Sequence, residues 1–374
     1  MILTTLIMMQ GPVLAPAETG EGRLTLPNPL NAQSDLSIFG RFQQDFAWID
    51  DENFGTPDGS EARRARIGVA GNLAEGLDFK MEVDFASFDG SGAAFTDAYL
   101  KFGGLPMGKV QVGHFKEPFS LNELTSSRFI TFTERNETFA PARNTGVMMS
   151  DNTDEFTWQA GAFWETSKNL DTNGNDTAVT GRFVYRPTYA DKGSSLLHFG
   201  GAVSLRESES GAYGASTDGG IHLLGGDLAM ASIAADDLTL VGLEAAWQEG
   251  PAHAELEYVM AEGDDDGFST WYLQGGYFLT GESRGYKTSS AAFSRVNPNT
   301  PYGESGNGAW EVAARINGVD LSEGAADQEA TQIALGLNWY LTSHTRVMFS
   351  VYSGDSDALA EDVMGAVIRF AFDF

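Results

Sequence analysis

The chain has no cysteine among its 374 residues, which excludes disulfides, thiolate metal sites, iron–sulfur clusters and cysteine nucleophiles. It has no run of about 18 apolar residues, so no helical membrane span is expected. It is short of positive charge: 23 Lys plus Arg stand against 52 Asp plus Glu, a formal net charge of −29. Binding to a phosphate backbone rests on clustered cations that release counterions, so nucleic acid is excluded as a main partner. Histidine is scarce as well. His114, His198, His222, His253 and His344 lie far apart and none belongs to an HExxH motif. There is no G-x-S-x-G elbow and no P-loop. No catalytic residue, metal or cofactor is expected.

What the chain does have is glycine and aromatic residues: 44 Gly, 25 Phe, 11 Tyr and 7 Trp. Many turns and many rings point towards an all-β architecture. The alternation of residue types supports this. In Leu77-Asp-Phe79-Lys-Met81-Glu-Val83-Asp-Phe85 every odd position is apolar and every intervening one is charged. A helix would mix those classes on each face, whereas a strand separates them. The same parity runs through Phe156, Trp158, Ala160, Ala162 and Trp164, through Leu197, Phe199, Val203 and Leu205, and through Ile333, Leu335, Leu337, Trp339 and Leu341.

About sixteen such segments are predicted: 35–50, 61–72, 76–88, 93–103, 107–115, 143–149, 155–166, 177–187, 194–206, 236–249, 252–262, 268–279, 307–321, 328–341, 345–354 and 362–374. Short and long connections largely alternate, as in an up-and-down meander closed on itself. The exception is Gly281–Gly306, a long stretch on the short-turn side. The segment lengths match the roughly 9 to 11 residues with which a tilted strand crosses a bilayer. The expected fold is therefore all-β: a transmembrane antiparallel β-barrel of about 16 strands, with a wet lumen and an apolar outer face. In the last segment Met364, Ala366, Ile368, Phe370, Phe372 and Phe374 share one parity up to the final residue. A terminal aromatic strand of this kind is read by the barrel-assembly machinery of Gram-negative bacteria, which makes Phe370, Phe372 and Phe374 the expected assembly signal. Residues 1–17, apolar and ending in Ala15-Pro16-Ala17, resemble a cleavable leader, although the basic residue that normally precedes the apolar run is missing. Residues 18–34 are read as an N-terminal extension and 35–374 as the barrel.

The segment Gly113-His-Phe-Lys-Glu-Pro-Phe-Ser-Leu-Asn-Glu-Leu-Thr-Ser-Ser-Arg-Phe-Ile-Thr131, followed by Glu134-Arg135-Asn136, resembles the phosphate-selective porin O/P family. Gly308-Ala-Trp-Glu-Val-Ala-Ala-Arg315 and Gly336-Leu-Asn-Trp-Tyr-Leu341 add to the likeness, in the expected order. The resemblance implies a sixteen-stranded homotrimeric barrel in the outer membrane, in contact with outer-membrane lipid and lipopolysaccharide, through which small anionic solutes such as phosphate diffuse passively. It implies that the long loop 116–140 folds into the pore and narrows it. It carries anion-binding roles onto Arg63, Arg64, Ser126, Ser127 and Arg135, with Arg128 beside the serines. The best-known members have a lysine where this chain has Glu123, two residues before the Thr-Ser-Ser, and a carboxylate there would repel an anion.

Residue by residue, Arg63, Arg64 and Arg66 are the tightest basic cluster in an acidic chain. Arg64 and Arg66 have the lumen parity; Arg63 fits only if the strand begins or bulges there. Arg182, Arg206, Arg315 and Arg369 share the lumen parity. Guanidinium groups stay charged and offer several donors to an oxyanion, and rings of them select anions in pores. Asp50-Asp51-Glu52 and Asp264-Asp265-Asp266 fall in predicted outer loops, where solvated charge is the commoner role and a divalent ion bridging to lipopolysaccharide the rarer one. Asp171-Thr-Asn-Gly-Asn-Asp176 lacks the glycine position and closing acid of a calcium loop. The alternatives are a general or cation-preferring diffusion pore on the same fold and, from other classes, an outer-membrane barrel enzyme or a structural or adhesive barrel.

Overall fold

The computed structural model describes residues 24–374 except 30, 32–33, 87–92, 137–138, 168–169, 210, 265–266, 304 and 322–327. The leader-like segment 1–17 and two members of the acidic run 264–266 lie outside the described residues. A short strand, β1 (Leu24–Pro27), comes first, within the expected N-terminal extension. It is followed by β2 (Asp35–Asp50), β3 (Gly59–Ala74), β4 (Leu77–Asp84), β5 (Ala94–Leu105), β6 (Gly108–Lys116), β7 (Arg143–Asn152), β8 (Phe156–Thr166), β9 (Thr172–Ala190) and β10 (Ser195–Glu207). A hairpin, β11 (Ala212–Thr217) and β12 (Ala229–Ala234), interrupts the series before β13 (Asp237–Glu249), β14 (Ala252–Glu262) and β15 (Gly267–Phe278). A second hairpin, β16 (Arg284–Lys287) and β17 (Ala292–Val296), precedes β18 (Ala309–Asp320), β19 (Glu329–Tyr340), β20 (Thr345–Ser356) and β21 (Val363–Asp373).

Setting aside β1 and the two hairpins, sixteen strands pair antiparallel with their neighbours. The ladder closes where β2 meets β21, from Arg41 opposite Asp373 to Asp50 opposite Met364. The strand β1 pairs with Asp35–Ile38 of β2, below the last residue of β21, and so prolongs the seam. Closure satisfies every strand edge, which a bilayer requires. All sixteen sequence segments correspond to these strands; 35–50 and 252–262 coincide end to end with β2 and β14.

The burial pattern is that of a protein turned inside out. On β19, Ile333 and Leu335 are more than half exposed, while Gln332, Ala334 and Asn338 are buried. The exposed apolar face is the lipid face and the buried polar face is the lumen. Aromatic residues mark its rims: the Trp310 and Trp339 rings stack at 5.1 Å, and Trp339 Nε1 donates to the Asn307 carbonyl at 2.7 Å.

The long connection 279–308 departs from the short-turn rule for a structural reason. Its hairpin, β16–β17, rises into the lumen from the turn end. The Tyr286 hydroxyl meets His198 Nδ1 at 2.7 Å, and Arg182 donates to the carbonyls of Ser290 and Ala291 at 3.1 and 2.8 Å. At the loop end, the hairpin β11–β12 and its linker turn over the mouth. There Ile221 and Leu228 join Phe119, Phe132, Leu240 and Val259 in an apolar cluster inside the barrel.

Candidate pore constriction

The loop 117–142 leaves β6 and crosses the lumen. Its first residue, the buried Glu117, accepts from Arg206 at 3.1 Å, Asn144 at 2.7 Å and Thr180 at 2.5 Å. Ser120 then caps a single helical turn, α1 (Leu121–Leu124), its hydroxyl accepting from the Glu123 N–H at 3.1 Å. The orphan N–H groups of Leu121 and Asn122 donate to the Glu257 carboxyl oxygens of β14 at 3.1 and 2.6 Å, which satisfies two of the turn's unpaired donors. Phe119 lies over Gly242, where a Cβ would come within 2.9 Å of its ring. Beyond the helix, the carbonyls of Ile130, Thr131 and Glu134 accept from Arg346, Asn338 and Arg315 at 2.8, 2.8 and 3.0 Å, and that of Thr133 from Arg369. The loop is thus fastened to the far wall by donors that the lumen parity of β18–β21 provides.

Glu134 is the hub of this attachment. Its carboxylate lies 2.9 Å from Arg63, 3.4 Å from Arg64 and 2.5 Å from Arg369. Against the upward push of burial, these charges hold its carboxyl well below the usual range, Arg64 contributing most. Arg63 reaches the lumen because the β2–β3 register shifts: Arg64 faces Gln43 but Ala62 faces Gln44, which leaves Arg63 as the bulged residue. Arg64 also donates to Gln43 Oε1 at 2.9 Å. Arg63 and Arg64 therefore anchor the loop. Arg182, Arg206, Arg315 and Arg369 serve the same kind of purpose, each bonded to a carboxylate of the wall or the loop or to a backbone carbonyl of an inserted segment.

The other five of the seven basic and hydroxyl residues singled out in the sequence come together elsewhere. Arg66, Ser126, Ser127, Arg128 and Arg135 line a cavity of about 300 Å³ between the loop and the β2–β8 wall. Arg41, Lys80, Lys101, Lys116 and Arg143 line it too. Arg41 donates to the Ser127 and Ser126 hydroxyls at 2.7 and 3.3 Å and pairs with Glu82 at 2.7 Å. Arg66 pairs with Asp84 at 2.6 Å, and Arg128 with Asp373 at 3.3 Å. Lys80 and Arg143 share Asp97, at 2.5 and 2.8 Å. Lys116 and Arg135 share Glu123, at 2.6 and 3.5 Å. Lys101 has no carboxylate within ion-pair distance among the described residues; its ammonium lies 5.6 Å from the centroid of the Tyr99 ring. Eight cations thus stand against five carboxylates, a local positive excess in a chain of net −29. Glu123 is not a lone carboxylate facing the path. It is the shared counter-ion of two cations, and the repulsion expected from its position is offset at the site.

Ser289 and Ser290, at the tip of the β16–β17 hairpin, complete the cavity from the turn end. The hairpin and the loop also dock on each other, with Leu121 packed among Tyr286, Ala291, Ala292 and Phe293. On the loop side a wider vestibule of about 560 Å³ opens among β7–β10, β13 and the β11–β12 hairpin, and Arg143 lines both spaces. Of the cavity cations that sequence motifs did not single out, Arg41, Lys80 and Lys101 lie on lumen parity and could have been found by extending the alternation. Lys116 and Arg143 sit at strand ends, where parity says little.

Similarity to known proteins agrees with this architecture. Porin O of Pseudomonas aeruginosa is 25% identical, over 91% of this chain and 88% of its own length. Two solved structures share the fold: an anion-selective porin from Comamonas acidovorans (TM-score 0.61, 17% identity, covering 91% of this chain and all of that one) and the in-vitro folded outer-membrane protein OmpT of Vibrio cholerae (TM-score 0.55, 14% identity, covering 94% and 99%). The model of the family described as phosphate-selective porin O and P matches residues 37–374, and the chain belongs to that family of outer-membrane porins.

Proposed function

We propose that the barrel is a passive pore favouring small anions, phosphate and other oxyanions among them, and that Arg66, Ser126, Ser127, Arg128 and Arg135 are contact residues on the ion path, with Arg63 and Arg64 setting the position of the loop. The observation that carries this reading is the cationic excess around the 300 Å³ cavity. Loop charges further than about 8 Å from the ion are largely screened at physiological salt, whereas low-dielectric walls focus the field of the nearest charges. The family and the fold are those of a channel rather than an enzyme, and the anchored loop has the role of a fixed restriction. A homotrimer, contact with lipopolysaccharide, and insertion by the barrel-assembly machinery through Phe370, Phe372 and Phe374 belong to the same proposal. The test is the reversal potential across a planar bilayer under a KCl gradient. An anion-selective sign is expected. A cation-selective pore would replace this reading with a general or cation-preferring diffusion porin.

A further inference from the structure

Resting on the anion-pore reading, we infer that the constriction cavity accepts organic anions with a flat apolar body, aromatic carboxylates in particular, in preference to carboxylates of the same charge that lack one. The cations occupy only part of its lining. Tyr99 of β5, Phe115 of β6, Met148 of β7 and Leu124 of the loop form an apolar wall beside them. Tyr99 meets Phe115 edge to face at 6.1 Å, and Phe115 meets Phe163 at 5.6 Å, so the rings are held in place. Glycines let the rings lie close against the wall: the Phe163 ring covers Gly146, where a Cβ would come within 2.5 Å of it. In register, Tyr99 faces Gly113, and Gly113 faces Gly146. Three adjacent strands therefore contribute a single side chain to that row. Gly113 has φ +133, and a Cβ there would lie 2.8 Å from the Tyr99 Cα.

The dimensions and chemistry of this cavity suit a particular solute. The cavity of about 300 Å³ is large against the roughly 30 Å³ that a water molecule occupies in the liquid. A tetrahedral oxyanion pressed to an apolar wall leaves oxygens without hydrogen bonds, which is costly. An aromatic ring against Tyr99 gains offset or edge-on contact, while its carboxylate reaches the Lys101 ammonium or a guanidinium fork.

The test uses the folded protein in planar bilayers in symmetric KCl, titrated with benzoate and with acetate, which carry the same charged group and differ in the ring. Benzoate is expected to reduce the current at a concentration roughly tenfold below that of acetate. Tyr99→Ala should raise the half-blocking benzoate concentration roughly three- to tenfold, the range one aromatic contact is worth, and leave acetate little changed. Lys101→Gln should weaken both alike. If Tyr99→Ala does not yield a folded barrel, Leu124→Ala on the loop removes apolar surface from the other side and should move benzoate alone. Equal block by the two anions, or a Tyr99→Ala or Leu124→Ala variant that shifts both together, overturns the inference. The KCl reversal potential separates the two levels: an anion-selective pore without ring preference overturns this inference alone, and a cation-selective pore overturns the reading beneath it as well.

Discussion

The Glu123 carboxylate lies 2.6 Å from the Lys116 ammonium, across the base of the loop that narrows the pore. Arg135 stands on its other side at 3.5 Å. The negative charge that the sequence places in the constriction is thus held between two positive ones, and removing it frees both. A unit charge about 6 Å from an ion in water is worth roughly 0.7 kcal/mol, which is about threefold in permeability ratio. Glu123→Gln is expected to raise chloride over potassium permeability by about that factor. Glu123→Lys should raise it further and add block by phosphate. Reversal potentials of the three proteins check this, and an unchanged ratio in both variants would count against it.

Acidification should leave Glu123 in place. Against burial, the charges of Lys116 and Arg135 hold its carboxyl at about 2, below the ordinary 4.5. A carboxyl depressed on folding contributes stability above its ordinary pKa and loses it as pH falls through the lower value. Between pH 7 and pH 4 the Glu123 pairing is expected to persist, with no change in the sign of selectivity. A titration of the reversal potential centred near 4.5 and abolished by Glu123→Gln would show otherwise.

Arginines that look alike in sequence should behave differently. Arg66 and Lys101 line the cavity, so Arg66→Gln with Lys101→Gln should move the permeability ratio towards cations by roughly five- to tenfold, two charges at the distance used above. Arg64 is bonded to Gln43 and Glu134 beneath the loop. Arg64→Ala is expected chiefly to loosen the loop, giving noisier single-channel current and a lower unfolding temperature of the heat-modifiable band. The opposite assignment of effects would reverse the roles given to the two groups.

The β16–β17 hairpin should be a second restriction. It is tied to the wall by Tyr286 with His198, by Arg284 with Glu255, and by Arg182 with two of its carbonyls. Replacing 283–297 with a short Gly-Ser linker is expected to raise single-channel conductance at least about twofold, since that segment occupies lumen cross-section in series with the loop. Conductance equal to that of the parent protein would place the hairpin off the ion path.

Closure of the barrel should depend on its last residue. The Phe374 N–H donates to the Gly40 carbonyl at 3.1 Å and its carbonyl accepts from the Gly40 N–H at 3.0 Å. Its ring lies where a Cβ on residue 40 would come within 2.7 Å. Deleting Phe374 removes the final rung between first and last barrel strands, and the folded band in outer-membrane fractions should fall severalfold. Wild-type levels would argue that Phe370 and Phe372 suffice.

Alternation, strand length and the terminal aromatic strand together determined the barrel. Each residue of a strand faces either lipid or lumen, so Leu77–Phe85 and Ile333–Leu341 declare strand, face and environment locally, and sixteen such stretches with a terminal Phe374 leave little freedom in topology. Arg66, Ser126, Ser127, Arg128 and Arg135 were legible as a group from the loop motif and the parity of β3. The division of labour among the charges was not. Whether an arginine holds the loop or faces the ions depends on which carboxylate or carbonyl lies opposite it. That partner is supplied by residues far along the chain, Glu134 for Arg63 and Arg64 and Thr133 for Arg369, or across the folded loop, as with Glu123 shared between Lys116 and Arg135. The bulge that turns Arg63 inward, the hairpin that rises from the turn end, and the glycine row beside Tyr99 arise only when strands are set in register. The period of a strand fixes where a side chain points, and tertiary packing fixes what it meets there.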